Sequence, residues 1–212
     1  MRLLGMTPSE ASRVHIVTKA RGGEQFLEEW LRFHLALGVG KVWLYEDGDS
    51  AAMGRIARSF GERVLHIPQP VQEGKGGNAA LLDTLRDWPT RCAASRDCPS
   101  WIFYTDPDEF LNLRGYSSIL NFLDQFDRFR VGAVCLPRYD FGTSGLRTAV
   151  DGSVLQSFVH RMPVPVAPKC ISSTALLRAL TTHTQHAWRT QRAHRHARTP
   201  TRARAFTRMH VT

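Results

Sequence analysis

Residues 101–111 read WIFYTDPDEFL. Four apolar or aromatic residues run directly into three carboxylates, Asp106, Asp108 and Glu109, and the chain then turns apolar again. An unbroken apolar run of this length fits a strand buried on both faces. In an open parallel sheet, ligands bind at the carboxyl ends of the strands, where the loops open a crevice. The acidic knot stands where such a crevice would lie, so the reading turns on whether the flanking segments build that sheet.

They alternate. VHIVT (14–18) is a short apolar run followed by the Gly22-Gly23 break. EQFLEEWLRFHLALG (24–38) carries Phe26, Trp30, Phe33 and Leu37 at helical spacing, widened by Leu27, Leu31 and Leu35. Glu24, Glu28 and Glu29 sit near its positive end, and Gly38 supplies a stop. KVWLY (41–45) reads as a second strand, ended by EDGDS, with a helix over 50–59. RVLHIP (63–68) is a third strand, closed by Pro68 and Pro70. A helix fits 77–87, with Pro89 ending or interrupting it, and another fits 117–126. VGAVCLP (131–137) is a fifth strand. This alternation predicts an α/β domain whose mainly parallel sheet is flanked by helices.

The net charge of +9 is unevenly placed. Residues 1–151 hold all 19 acids and 18 of the 28 Lys and Arg, whereas residues 152–212 hold no acid. The body is thus nearly neutral, and the basicity belongs to the C-terminal part. From Arg178 the chain has eight Arg, five His and no Lys. That composition predicts a basic, low-complexity tail over 178–212, with no packed core. Two alternatives attach to it: a nucleic-acid-binding segment, or GC-rich DNA read in the wrong frame. No run of 18 apolar residues exists to span a membrane. Cys92, Cys98, Cys135 and Cys170 are too few and too irregularly spaced for a disulfide framework or zinc module. Cys92 and Cys98 are close enough to pair in an oxidising compartment, but the reading favours two unpaired thiols around a loop.

Two acidic clusters end strands: Glu46, Asp47 and Asp49 after KVWLY, and Asp106, Asp108 and Glu109 after WIFY. Pro107 biases Asp106 toward an extended conformation. If the segment is extended, Asp106 and Asp108 converge and Glu109 points away. Two close carboxylates repel unless a cation lies between them. Hard oxygen ligands without Cys suit Mg²⁺ or Mn²⁺, which keep positions open for phosphate oxygens. Phosphatases with a nucleophilic Asp also end a strand in D-x-D, usually with Thr or Val two places after the second Asp. Here that place is Phe110.

Together EQFLEEWLRFHLALGVGKVWLYEDGDS (24–50), WIFYTDPDEFL and LPRYDFGTSG (136–145) resemble glycosyltransferase family 92 and its bacterial family-2-like relatives, over about residues 13–172. The resemblance implies a GT-A (Rossmann-like) domain over 13–177. It also implies transfer of a sugar, often galactose, from a nucleoside-diphosphate sugar such as a UDP-sugar to a glycan acceptor, with Mn²⁺ or Mg²⁺. By the same resemblance Asp106 and Asp108 hold the metal on the diphosphate, and Glu46 meets the nucleoside. Asp47 stands where an amide is usual, and Asn78 matches a donor-side position. Lys75 in EGKGGN either reaches a phosphate or is simply solvated. Glu109 and Asp140 are both candidates for the base that takes the acceptor proton. His183 is the candidate third metal ligand, with His186 close by. Eukaryotic members carry an N-terminal Golgi anchor; without one, a cytoplasmic protein is the alternative. The competing functions are an inactive remnant of such an enzyme and a basic-tailed nucleic-acid binder.

Overall fold

The computed structural model describes residues 13–71, 77–95, 97–146, 152–175 and 206–209. The strands are β1 (Val14–Ala20), β2 (Lys41–Asp47), β3 (Val64–Gln69), β4 (Trp101–Tyr104), β5 (Glu109–Leu111), β6 (Ala133–Phe141), β7 (Val166–Ser173) and β8 (Phe206–Met209). The helices are α1 (Glu24–Ala36), α2 (Ala51–Ser59), α3 (Gly77–Ser95), α4 (Ile119–Leu123) and α5 (Val154–Ser157). All strands join one sheet in the order β3-β2-β1-β4-β7-β6-β8-β5. The α/β architecture and all five expected strands are therefore present.

β1, β2, β3 and β4 pair in parallel. β7 runs against both β4 and β6, so β6 keeps the direction of the first four strands. The unforeseen strand β7 thus sits between WIFY and VGAVCLP. Both faces of the parallel half are covered. Ile16, Val42, Leu44 and Phe103 pack with Trp30, Leu31 and Leu35 of α1 and Met53 of α2. On the other face Val17, Trp43, Tyr45 and Ile102 meet Trp88 and Cys92 of α3. Burial on both faces is why these strands read as continuous apolar runs.

Local signals set the helix ends. α1 stops at Leu37, and Gly38 follows at φ 100°, a conformation that favours glycine. A Cβ there would come 3.3 Å from Cβ of Ser118, so the close approach also asks for glycine. α2 opens on Ser50, whose hydroxyl accepts from the Met53 N–H at 3.3 Å.

Several expectations need correcting. α3 does not end at 87; it continues through Pro89 to Ser95. Thr84, Trp88 and Cys92, four residues apart, are all buried. That stripe under the sheet outweighs the ~3 kcal/mol that an interior proline costs a helix. The helix placed over 117–126 shortens to Ile119–Leu123. β6 begins at Ala133 and runs through Pro137 to Phe141, with a register shift between Leu136 and Arg138. Proline has no N–H for the ladder, which accounts for the irregularity there. The cysteines are not free thiols: disulfides join Cys92 to Cys98 and Cys135 to Cys170. Cys135 and Cys170 stand opposite each other in the β6/β7 register, a proximity that sequence spacing does not reveal. Within the basic tail, Phe206–Met209 pairs parallel with β6 and antiparallel with β5, where no packing is expected from composition. The rest of 178–212 lies outside the described residues.

Candidate functional site

β4 buries Trp101, Ile102 and Phe103. The Thr105 N–H still donates to the Val17 carbonyl at 3.3 Å, and then the chain turns. The Glu109 N–H donates to the Asp106 carbonyl at 3.1 Å, closing a four-residue turn with Pro107 and Asp108 at its centre. Proline is pre-set for the first central position of such a turn. This corrects the extended geometry expected for Asp106–Asp108. It also reverses the expectation for Glu109, which folds back under the turn and is fully buried. Its Oε2 accepts from the Thr105 hydroxyl and the Asp106 N–H, each at 3.0 Å.

Two cations complete the arrangement. Lys169 Nζ lies 2.9 Å from Glu109 Oε2 and 3.1 Å from Asp106 Oδ2. Arg138 Nη1 donates to Glu109 Oε1 at 3.1 Å, and its Nε is 3.8 Å from Asp140 Oδ1. The Phe103–Ile171 pairing of β4 with β7 carries Lys169 to the level of Thr105. The shift at Pro137 places Arg138 on β6 next to the same carboxylate. Asp106, Glu109 and Asp140 therefore share one cluster bridged by Lys169 and Arg138. Neither cation is singled out from sequence, although Arg138 lies in LPRYDFGTSG and Lys169 in PKCISS. Sheet register and the irregularity at Pro137 bring them together. Tyr104 borders the cluster, with Lys169 Nζ 5.3 Å from its ring centroid. Burial, then the charges of Asp106 and Glu109, pushes the Tyr104 phenol up from its ordinary value.

The second acidic cluster stands at the same carboxyl edge, across β1. Glu46 is buried, with Oε2 2.5 Å from His66 Nε2 and Oε1 accepting from the Ser50 N–H at 2.6 Å. Its carboxylate thus braces the start of α2. Asp47, on the opposite face of β2, lies 3.8 Å from Arg21. Asn78 is the second residue of α3. Lys75, His183 and His186 lie outside the described residues.

The donor set suits a hard divalent ion in its chemistry. It is all oxygen, Asp106 keeps about 30% of its side chain exposed, and buried Asp140 Oδ1 has no hydrogen bond. Among the described residues no group of three or more His, Cys, Asp or Glu could hold a metal ion. An ion here would take one or two carboxylates from the described residues, with its other ligands supplied from outside them. Among the described residues no helix is long and apolar enough to cross a membrane.

No protein-family model matches the chain. A glycosyltransferase family 92 protein of Oryza sativa subsp. japonica is 21% identical over 164 residues, covering 76% of this chain and 27% of that protein. One from Ricinus communis is 23% identical over 189 residues, covering 81% of this chain and 32% of that protein. The chain thus spans a third or less of the length of these curated relatives. Among solved structures, 4-diphosphocytidyl-2C-methyl-D-erythritol synthase aligns with a TM-score of 0.47 and 16% identity, over 85% of this chain and 84% of that one. Over most of its length, the chain is a distant homologue of glycosyltransferase family 92 proteins.

Proposed function

We propose that this chain forms the donor side of a metal-dependent glycosyltransferase, moving a sugar from a uridine diphosphate sugar to a hydroxyl of a glycan acceptor. Galactose is the sugar to which the family resemblance points. The observation that carries the reading is the Asp106–Glu109 turn at the carboxyl end of β4, beside β1, with its acids held by Lys169 and Arg138.

Asp106 and Asp108 would hold Mn²⁺ or Mg²⁺, which when bound supplies positive charge to the departing diphosphate. Glu109 is engaged by two cations and two further donors, so it positions the turn rather than accepting a proton. Asp140 is the better candidate base. It keeps 28% of its side chain exposed, and Arg138 stands beside it. In this role Asp140 removes the acceptor proton as the new glycosidic bond forms. Glu46, given to the nucleoside by the resemblance, is engaged by His66 and the Ser50 N–H and so braces the loop. In this reading the nucleoside contact moves to its neighbour Asp47. Asn78, Lys75 and His183 keep their donor-side and metal assignments on resemblance alone.

The test is release of uridine diphosphate from a panel of donor sugars, with Mn²⁺ and with EDTA. The reading expects metal-dependent release from at least one donor. A folded chain that neither binds nor cleaves any donor would instead be the inactive remnant.

A further inference from the structure

Lys19 is the second-last residue of β1, level with Tyr45 on β2. This rung faces α3, because Tyr45 packs with Trp88. Val17 pairs with Tyr104 at the end of β4, so Lys19 stands just past the point where the chain leaves β4 for the Asp106 turn. Lys19 Nζ is shielded from solvent and has no hydrogen-bond partner among the described residues. Gln69 Oε1, on β3 at the same edge, is shielded and unpaired in the same way.

Among the described residues, the acids near this edge have partners of their own. Asp47 lies beside Arg21, Asp87 pairs with Arg91 on α3, and Asp106 is held by Lys169. A shielded ammonium without a hydrogen-bond partner is costly. Such a cost is sustained where a ligand supplies the missing partner. The strand order also reverses its growth here, with β2 on one side of β1 and β4 on the other, and open α/β sheets bind ligands at that point.

We propose that Lys19 is an anion-binding residue whose partner is a phosphate oxygen of the donor's diphosphate, contacted independently of any metal. The inference rests on the donor-site reading above. It adds a protein cation on the α3 face of the sheet to the carboxylates of the Asp106 turn.

The experiment is calorimetric titration of inorganic pyrophosphate in EDTA into the wild-type chain, Lys19→Met and Lys19→Arg, with thermal unfolding of each. Wild type should bind, Lys19→Met should lose about tenfold or more in affinity, and Lys19→Arg should keep most of it. Lys19→Met should also melt higher without ligand, because it removes an uncompensated charge; a purely structural lysine would give a lower melting point. Equal affinity of wild type and Lys19→Met, no binding by wild type in EDTA, or a lower melting point of Lys19→Met would each overturn the proposal. With uridine titrated as a second probe, a loss confined to uridine would also overturn it, because the ammonium would then read a base carbonyl. The metal reading fails separately, if Asp108→Asn leaves Mn²⁺-dependent donor binding unchanged.

Discussion

Lys169 Nζ and Glu109 Oε2 lie 2.9 Å apart beneath the acidic turn, with the carboxylate wholly buried. The pair joins a residue following β4 to one on β7, across a boundary that no local sequence signal marks. Arg138 reaches the other oxygen of the same carboxylate. Glu109 is therefore the hub that holds the turn in place, while Asp106 and Asp108 remain at its rim.

Removing that hub should be costly. Glu109→Gln leaves Lys169 and Arg138 without their shared buried counter-charge. Loss of one partner of a buried ion pair typically costs about 3–5 kcal/mol. Denaturant unfolding should show a loss of at least about 2 kcal/mol, with isosteric Gln recovering part of the hydrogen bonding. A change within about 0.5 kcal/mol, the range of an ordinary surface substitution, would mean that the network contributes little.

Asp140→Asn should separate binding from chemistry. The variant should melt like the wild type and bind donor normally, yet transfer about a hundredfold or more slowly. Unchanged kcat would return the base assignment to another residue.

Two buried histidines set a pH limit. Burial pushes His34 down to about 4, against its hydrogen bond to the Trp30 carbonyl. Burial likewise lowers His15 to about 4, with Asp97 opposing. In the unfolded chain both would take up protons near the ordinary value of 6.5. Their folded pKa values are depressed, so their contribution to stability is intact above 6.5 and is lost as pH falls toward 4. Each contributes a slope of up to ~1.4 kcal/mol per pH unit in that window. His34→Leu should flatten the dependence between pH 6.5 and 4, whatever its effect at neutral pH. An unaltered slope would show that His34 titrates normally.

The parallel half of the fold is legible in sequence because both sheet faces are covered there. VHIVT, KVWLY and WIFY each announce themselves as apolar runs, and Gly38 marks a helix end. RVLHIP, at the sheet edge, is instead mixed in character and leaves Leu65 exposed. The other half is less visible. β7 reads VAPKCISS, with a proline and a lysine within it, and its placement depends on pairing with both β4 and β6. Pro89 hides the length of α3, because the compensating burial of Trp88 and Cys92 is tertiary. At the site, Asp106, Asp108, Glu109 and Asp140 are readable as acids at strand ends or in a matching motif. Which acid is buried and which remains at the rim is not readable, since Lys169 and Arg138 arrive through register and a strand irregularity.

The central claim concerns charge at the turn, and Asp108→Asn tests it with little change in size or shape. A uridine diphosphate sugar is titrated calorimetrically into wild type and variant, with and without Mn²⁺, after both are shown to melt alike. The account predicts Mn²⁺-dependent binding by the wild type and loss of the Mn²⁺-dependent part in Asp108→Asn. Equal Mn²⁺-dependent affinity in the two proteins would contradict it.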